Sequence, residues 1–262
     1  PGTPELRLFE GTRADLLLTQ YRQFVLRDLA VPGEGASFLP RAPVLVPLSL
    51  RVNTSSLPRP DSWPHSETLT EESLVKLCHE AVGQQGAQLI ISGEPGVGKT
   101  LLLQRVAAKL AQRTLGPLPL YLPIGSILKE EVFVTRWMEH RMRPASPYAE
   151  GLSQVLLDRG AAGQLIVLVD GIDSLGGELR RNALIAVSSM IQFWPRAVFL
   201  LAARPYTKIG IDGSHFIRAE IQPLSRDQQV RLLSAQLSQT LSAERATTER
   251  IDEILLEIVQ NP

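Results

Sequence analysis

The sequence has little of what marks secreted, membrane-spanning or strongly charged proteins. Its 262 residues include a single cysteine, Cys78, which excludes an internal disulfide framework and is typical of a reducing compartment. No apolar run approaches the roughly 20 residues of a membrane span, and no signal-peptide pattern is visible. The 27 basic and 27 acidic residues cancel, so no broad nucleic-acid or membrane footprint is indicated. We expect a soluble, cytoplasmic protein.

What the sequence does contain is a phosphate-binding motif at residues 93–100. The stretch satisfies G-x-x-x-x-G-K-[ST] and lies between the apolar run 89–92 and a helix-spaced apolar segment. Its glycines allow positive φ, so successive backbone N–H groups can face a polyphosphate, and the following helix adds its N-terminal dipole. In this pattern Lys99 reaches the β- and γ-phosphates, and the Thr100 hydroxyl binds Mg²⁺. The predicted nucleotide-binding residues are Gly93, Glu94, Pro95, Gly96, Val97, Gly98, Lys99, Thr100 and Leu101.

Apolar runs typical of buried strands alternate with helix-spaced segments from this motif onward. We expect strands at residues 89–92, 117–124, 164–170, 197–202 and 216–221, and helices at 98–112, 128–142, 150–159, 178–193, 225–237 and 243–260. This alternation predicts an α/β fold of the P-loop NTPase type, with a five-stranded parallel sheet sandwiched by helices. Ligands are expected at the carboxyl ends of the strands. The last two helices are expected to start a C-terminal helical lid.

The residues before the motif are predicted to flank this core. A helix within residues 1–30 is expected to bury one face, which carries Leu16, Leu17, Leu18, Tyr21, Phe24, Val25 and Leu29. The run 44–52 contains Pro47 and is expected to be an edge strand or a short extended segment, and 53–67 a loop. Thr70 is the expected N-cap of a helix that ends near residue 81 and buries Cys78. The predicted domains are 1–67, the NTPase core 68–224, and the start of the lid, 225–262.

Two aspartates follow the most apolar strand, in the sequence Asp170-Gly171-Ile172-Asp173. At the carboxyl edge of the sheet, Asp170 can hold Mg²⁺ through its water shell. Asp173 can polarise the water that attacks the γ-phosphate. The alternatives are an Asp170 that caps the next turn and an Asp173 that is the N-cap of the coming helix.

Arg204 follows the fourth predicted strand and precedes Pro205. A guanidinium at this strand end can contact the γ-phosphate bidentately and so distinguish ATP from ADP. A surface arginine is the alternative. The predicted metal ligands are thus Thr100 and Asp170, and the predicted catalytic residues are Lys99, Asp173 and Arg204.

These stretches resemble the Walker A, extended Walker B and sensor 1 motifs of NACHT-type NTPases, which belong to the STAND class of signalling ATPases. Gly171, a tiny residue directly after the first aspartate, is the most family-specific detail. Residues 21–52 are similar to the helix and V-P-L strand that precede the motif in bacterial members. Downstream, the similarity extends to a helix that leads into a G-x-P module, through Ile254, Glu257, Ile258, Asn261 and Pro262. The proline of that module contacts adenine, so the resemblance implies that Pro262 does so.

The resemblance implies a nucleotide-driven switch that uses ATP, ADP and Mg²⁺. ADP would hold the core against the lid and a following winged-helix domain, and ATP would allow opening and self-association. The chain is then expected to be part of a longer protein with effector and sensor domains. Two departures from the family pattern predict slow hydrolysis: Ser174 replaces a common third acid, and Ala202 and Ala203 replace Thr-Ser before the arginine.

Three other functions remain open on the sequence alone. An AAA-like ATPase with continuous turnover would need an arginine finger supplied in trans and usually an acid where Ser174 stands. A small-molecule kinase would need an acceptor site in a lid after the second strand, which residues 128–143 do not present convincingly. The last alternative is a nucleotide-binding scaffold that does not hydrolyse.

Overall fold

The computed structural model describes residues 4–30, 48–53, 68–82, 87–130, 133–146, 149–205 and 216–242. The chain divides into two compact units, one of residues 1–31 and 49–221 and one of residues 32–48 and 222–262. The predicted helix at 243–260 and Pro262 lie outside the described residues. In the described ranges, none of the helices has the length and apolarity needed to cross a membrane.

Helices and strands alternate along most of the chain, as the apolar pattern predicts. A 3-10 turn, Ile172–Ser174, follows the fifth strand. The elements in chain order are α1 (Pro4–Ala30), β1 (Ser49–Asn53), β2 (Thr68–Thr70), α2 (Glu71–Ala81), β3 (Gln88–Ser92), α3 (Lys99–Ala111), β4 (Leu118–Pro123), α4 (Ile124–Glu130), α5 (Val134–Met142), α6 (Leu152–Ala161), β5 (Leu165–Asp170), α7 (Gly177–Phe193), β6 (Val198–Ala203), β7 (Ile217–Ile221) and α8 (Arg226–Ser242).

The strands form one seven-stranded sheet in the order β2-β1-β7-β3-β6-β5-β4. The run from β7 to β4 is parallel, and its members are the five strands that the sequence predicts. The sheet is nevertheless seven-stranded, because β1 pairs antiparallel with both β7 and β2. The expectation of an edge strand at 44–52 is wrong, since β1 has a neighbour on each side. Pro47 itself lies outside the described residues.

Helices cover both faces of the parallel part of the sheet. Leu165, Val167 and Val169 of β5 belong to an apolar cluster that also contains residues of α4, α5, α6 and α7. Side chains alternate along a strand, so Ile166, Leu168 and Asp170 point to the other face. There α3 packs against β4, β5 and β6. Asp170 therefore lies on the face of the sheet that is covered by α3, the helix that follows the phosphate loop.

The helix predicted to start at Thr70 matches the structure, whereas the single helix predicted at 128–142 does not. The Thr70 hydroxyl accepts the Ser73 N–H at 3.2 Å, which confirms it as the N-cap of α2, and Cys78 is fully buried within that helix. The single helix expected at 128–142 is instead two, α4 and α5. The extended backbone of Phe133 (φ −63°, ψ 140°) starts α5 anew.

One face of α1 is buried, and six of the seven predicted apolar residues belong to it: Leu17, Tyr21 and Val25 are buried, and Leu18, Phe24 and Leu29 are partly buried against the same cluster. Leu17, Tyr21 and Val25 recur every four residues and are buried in the apolar cluster. Leu16 is 45% exposed, so its assignment to the buried face is wrong.

Polar side chains anchor α1 to backbone groups of the core. The Tyr21 hydroxyl donates to the carbonyl oxygen of Pro119 at 2.7 Å. The Arg22 guanidinium donates to the carbonyl oxygens of Leu110 at 3.0 Å and Gly116 at 2.8 Å. Leu110 belongs to the last turn of α3, where its carbonyl oxygen also accepts the Arg113 N–H at 3.3 Å, so Arg22 adds a second donor at this helix end.

The second unit contains α8, whose start is fixed by a capping box. The Ser225 hydroxyl accepts the Gln228 N–H at 3.3 Å, and the Gln228 side-chain oxygen accepts the Ser225 N–H at 2.8 Å. The two residues satisfy each other's free donors, as the S-x-x-Q spacing favours. The helix predicted from residue 225 is therefore confirmed where it starts.

Candidate nucleotide-binding site

The phosphate motif forms the turn between β3 and α3. Gly96 has φ of 82°, and Gly98, which is the N-cap of α3, has φ of 102°. Both values lie in the left-handed region that glycine adopts at no steric cost. The first turn of α3 presents Thr100, which is exposed, and Leu101, which is 39% exposed. The loop thus has the backbone course and the open helix start that a bound phosphate needs.

The inside of the loop is closely packed around Lys99. A Cβ atom on Gly93 would lie 2.6 Å from Val97 Cγ1, so a larger residue there would displace the loop. The Lys99 ammonium donates to the carbonyl oxygens of Gly93 at 2.7 Å and Glu94 at 3.0 Å. Both acceptors are neutral, and a phosphate oxygen is a stronger partner for an ammonium group. The lysine is therefore held at the loop while its charge stays available to an anion.

Asp170 is the last residue of β5 and is 8% exposed. Its Oδ2 accepts the Tyr121 hydroxyl at 2.9 Å, and Gln104 Nε2 of α3 lies 3.5 Å from the same hydroxyl oxygen. Burial raises the pKa of the Tyr121 phenol, and the charge of Asp170 and the hydrogen bond to it raise it further. The phenol consequently stays protonated and acts as the donor.

Asp173 lies on the 3-10 turn that follows Asp170. The turn begins at Gly171, whose φ of 82° explains why a residue without a side chain stands there. The Ser174 hydroxyl donates to the Gly171 carbonyl at 2.7 Å, and Arg180 Nη2 donates to the Asp173 carbonyl at 3.4 Å. The N-cap of α7 is Gly176, so Asp173 does not cap that helix.

The strand order brings these predicted residues to one edge of the sheet. β6 lies between β3 and β5, and all three are parallel. Ser92 pairs with Ala203, the residue before Arg204, and Val169 pairs with Leu201. Arg204 is exposed and follows the strand between the phosphate loop and Asp170. The remaining predicted site residue, Pro262, lies outside the described residues.

The donor groups at this edge fit a nucleotide with its magnesium ion. The Thr100 hydroxyl and the Asp170 carboxylate supply hard oxygen atoms, which Mg²⁺ prefers. The glycine turn supplies backbone N–H groups for phosphate, and the missing side chain of Gly93 lets the loop close against Val97. Thr100 and Asp170 would hold the ion, and Lys99 would contact the phosphates.

A phosphate loop between a buried parallel strand and a helix, inside this sheet order, defines a P-loop NTPase. The chain belongs to the NACHT family: the model of the NACHT domain matches residues 87–240. A search of curated proteins finds no significant relative. The family membership confirms the resemblance seen in the motifs.

Solved structures also match the chain, at low sequence identity and with TM-scores below 0.5. The chain is similar to a replication initiator DnaA bound to AMPPCP and single-stranded DNA, at 18% identity and a TM-score of 0.41, with 70% of this chain and 54% of that chain covered. It is also similar to a DNA replication initiation factor, at 17% identity and a TM-score of 0.44, with 72% of this chain and 54% of that chain covered. The match to C. elegans PCH-2 has 15% identity and a TM-score of 0.40, and it covers 68% of this chain and 48% of that chain. The chain spans about half the length of these structures.

Two residues that contact the predicted site were not identified from the sequence. Tyr121 is the one polar side chain in the run 118–122, and its alternation with Leu120 and Leu122 places it on the face opposite the apolar cluster. Arg180 is in the first turn of α7 and holds the turn of Asp173. The sequence contains a signal for Tyr121, the polar side chain in an apolar strand. Its contact with Asp170 can be predicted only when the pairing of β4 with β5 is known.

Proposed function

We propose that this chain is the ATP- and ADP-binding switch of a NACHT-type signalling protein. The observation that carries the proposal is the adjacency of three strand ends, which lead to the phosphate loop, Arg204 and Asp170. Residues 93–101 would bind the phosphates, and Thr100 and Asp170 would hold Mg²⁺. Arg204 would contact the γ-phosphate and so distinguish ATP from ADP.

We further propose that hydrolysis is slow, because few groups are available to orient water. Asp173 is the acid on the turn after Asp170, while the neighbouring Ser174 hydroxyl is occupied by the Gly171 carbonyl. The end of β6 carries the buried methyl groups of Ala202 and Ala203, which can neither donate to phosphate nor hold a water molecule. Asp173 alone would then polarise the attacking water.

The switch requires a second body that the nucleotide contacts differently in its two states, since only differential contacts shift an equilibrium. We propose residues 225–262 as the start of that body, a helical lid with Pro262 at the adenine. Opening with ATP would lead to self-association and would act on effector and sensor domains of a longer chain. Residues 1–67 would flank the NTPase core at 68–224.

The nucleotide that copurifies with the protein tests this function. It is released by heat and identified by chromatography for the wild type, Lys99→Ala and the control Lys76→Ala, whose lysine is 74% exposed on α2. We expect retained ADP in the wild type and the control, and none in Lys99→Ala. A wild type that is empty and turns over ATP many times per minute is an AAA-like ATPase instead. Retained ATP that is never cleaved indicates a scaffold.

A further inference from the structure

Tyr121 links the strand at the sheet edge, the phosphate-loop helix and the predicted metal ligand. It is 8% exposed on β4, and its hydroxyl donates to Asp170 Oδ2 at 2.9 Å. Gln104 Nε2, one turn beyond Thr100 on α3, lies 3.5 Å from the hydroxyl oxygen. Within the described part of the chain, the structure gives Asp170 no second hydrogen-bonded side chain.

We propose that Tyr121 is a positioning residue that orients the Asp170 carboxylate for Mg²⁺. The inference rests on the proposed function, in which Asp170 holds the ion. A carboxylate at the end of a strand can rotate about its last torsion, and a donor fixed to one oxygen stops that rotation. The other oxygen then stays available for the ion or for its water, because a carboxylate has about four lone-pair sites.

The geometry distinguishes this contact from ordinary packing of a buried tyrosine. Tyr121 pairs in register with Leu168, two residues before Asp170, so its ring spans the diagonal to reach the carboxylate. Gln104 directs its N–H toward the phenol oxygen, which leaves the hydroxyl proton for Asp170. Partners of this kind, which hold a metal ligand by hydrogen bonds, commonly change metal affinity by about 10- to 100-fold when they are removed.

Tyr21 provides a matched control in the same unit. It is also a buried tyrosine, and its hydroxyl donates to a group of β4, but that group is the backbone carbonyl of Pro119 at 2.7 Å. Tyr21→Phe removes a buried hydrogen bond without altering a predicted metal ligand. Tyr121→Phe removes a hydroxyl of the same kind from Asp170.

The experiment measures the binding of a fluorescent ADP analogue, first in EDTA and then in a titration with MgCl₂. For Tyr121→Phe we expect unchanged affinity in EDTA, because the phosphate loop is intact, and an about ten-fold higher Mg²⁺ concentration at the midpoint of the titration. Tyr21→Phe should have the midpoint of the wild type. If Tyr121→Phe does not fold, Gln104→Leu keeps Tyr121 in place and should raise the midpoint by less than ten-fold, because Gln104 contacts the phenol and not the metal ligand.

A Tyr121→Phe midpoint equal to that of the wild type overturns the inference. An equal loss of affinity in EDTA and in Mg²⁺ also overturns it, because the tyrosine then supports the fold rather than the carboxylate. If Tyr121→Phe cannot be used, an unchanged midpoint in Gln104→Leu overturns it. A wild type that binds the analogue in neither condition overturns the proposed function itself, and the inference with it.

Discussion

Burial sets the chemistry of Cys78. Cys78 belongs to α2, and its thiol is fully buried in the core. Burial raises the pKa of the thiol from 9.0 to about 12. The neutral thiol is inert toward alkylating and oxidising reagents, since the thiolate is the reactive form. A reagent in solution therefore reaches Cys78 only when the core opens.

The same pKa predicts how stability depends on pH. In the unfolded chain the thiol loses its proton near pH 9, while the buried thiol keeps it to about pH 12, so deprotonation favours the unfolded state between these values. The stability that the neutral thiol contributes is present below pH 9 and is lost as pH rises, at about 1.4 kcal/mol per pH unit. Urea denaturation of the wild type and Cys78→Ala at about pH 8 and pH 10 should show the larger loss in the wild type, because burial also raises the pKa values of Tyr21 and Tyr121, which are present in both proteins. Parallel losses in both proteins would contradict the prediction.

Some single-residue features of the site could be predicted and others could not. The motif fixes Gly96, Gly98 and Lys99, because a phosphate loop needs positive φ and a cation at set positions. The sequence pattern singles out Gly171 as a tiny residue, and the structure explains this choice, because its φ of 82° is one that glycine adopts easily. The contact of Tyr121 with Asp170 joins residues of different strands, so it depends on strand pairing that local sequence does not encode.

At the scale of elements, polar contacts attach α1 to the rest of the first unit in addition to its apolar face. Arg22 is 7% exposed and donates to the carbonyls of Leu110 and Gly116. Farther along, Asp28 forms an ion pair with Arg141 of α5 at 2.6 Å. Burial lowers the pKa of the Arg22 guanidinium, and the charge of Arg159 adds to the lowering. The charge is thus held in place by carbonyl acceptors rather than by a carboxylate.

Removing this anchor should loosen α1. For Arg22→Met we expect a loss of about 1–3 kcal/mol of unfolding free energy, because the Gly116 carbonyl loses the guanidinium donor and the Leu110 carbonyl keeps only the Arg113 N–H. Arg27→Met is the control, since Arg27 is exposed in the last turn of the same helix. Urea denaturation gives the free energy, and limited proteolysis reports cleavage within α1. Equal stability of the two variants would show that the guanidinium contacts contribute little.

The elements that follow from the sequence are those with long, one-sided or continuous apolar patterns. The five parallel strands have this property, and each was predicted within about two residues. β2 has only three residues and ends at the N-cap of α2, which leaves too little sequence for a strand pattern. The separation of α4 from α5 depends on the extended backbone of Phe133, and an aromatic residue gives no turn signal. Pairing of β1 with β7 joins distant segments and has no local signature.

For the whole molecule, nucleotide binding should appear as added stability. A ligand that binds only the folded state stabilises it by RT ln(1 + [L]/Kd), which is about 2.7 kcal/mol at 100 times Kd. In ADP at that excess, the rate at which Cys78 is alkylated should fall by about 100-fold, because labelling requires opening of the core. Lys99→Ala should show no such protection at the same ADP concentration. Equal protection in this variant would mean that ADP binds away from the phosphate loop.

The two ends of α3 have different attachments. The amino end carries the phosphate loop, and the carbonyl of Leu110 near the carboxyl end is held by Arg22 of α1. Thirteen residues of helix make a rod about 20 Å long, which is stiff on that scale. A mechanical load applied to α1 would therefore pass along the axis of this rod to the loop. Tension on the amino-terminal helix would reach the phosphate-binding loop by this route, while the attachments of α1 to β4 and α5 would carry the rest of the load.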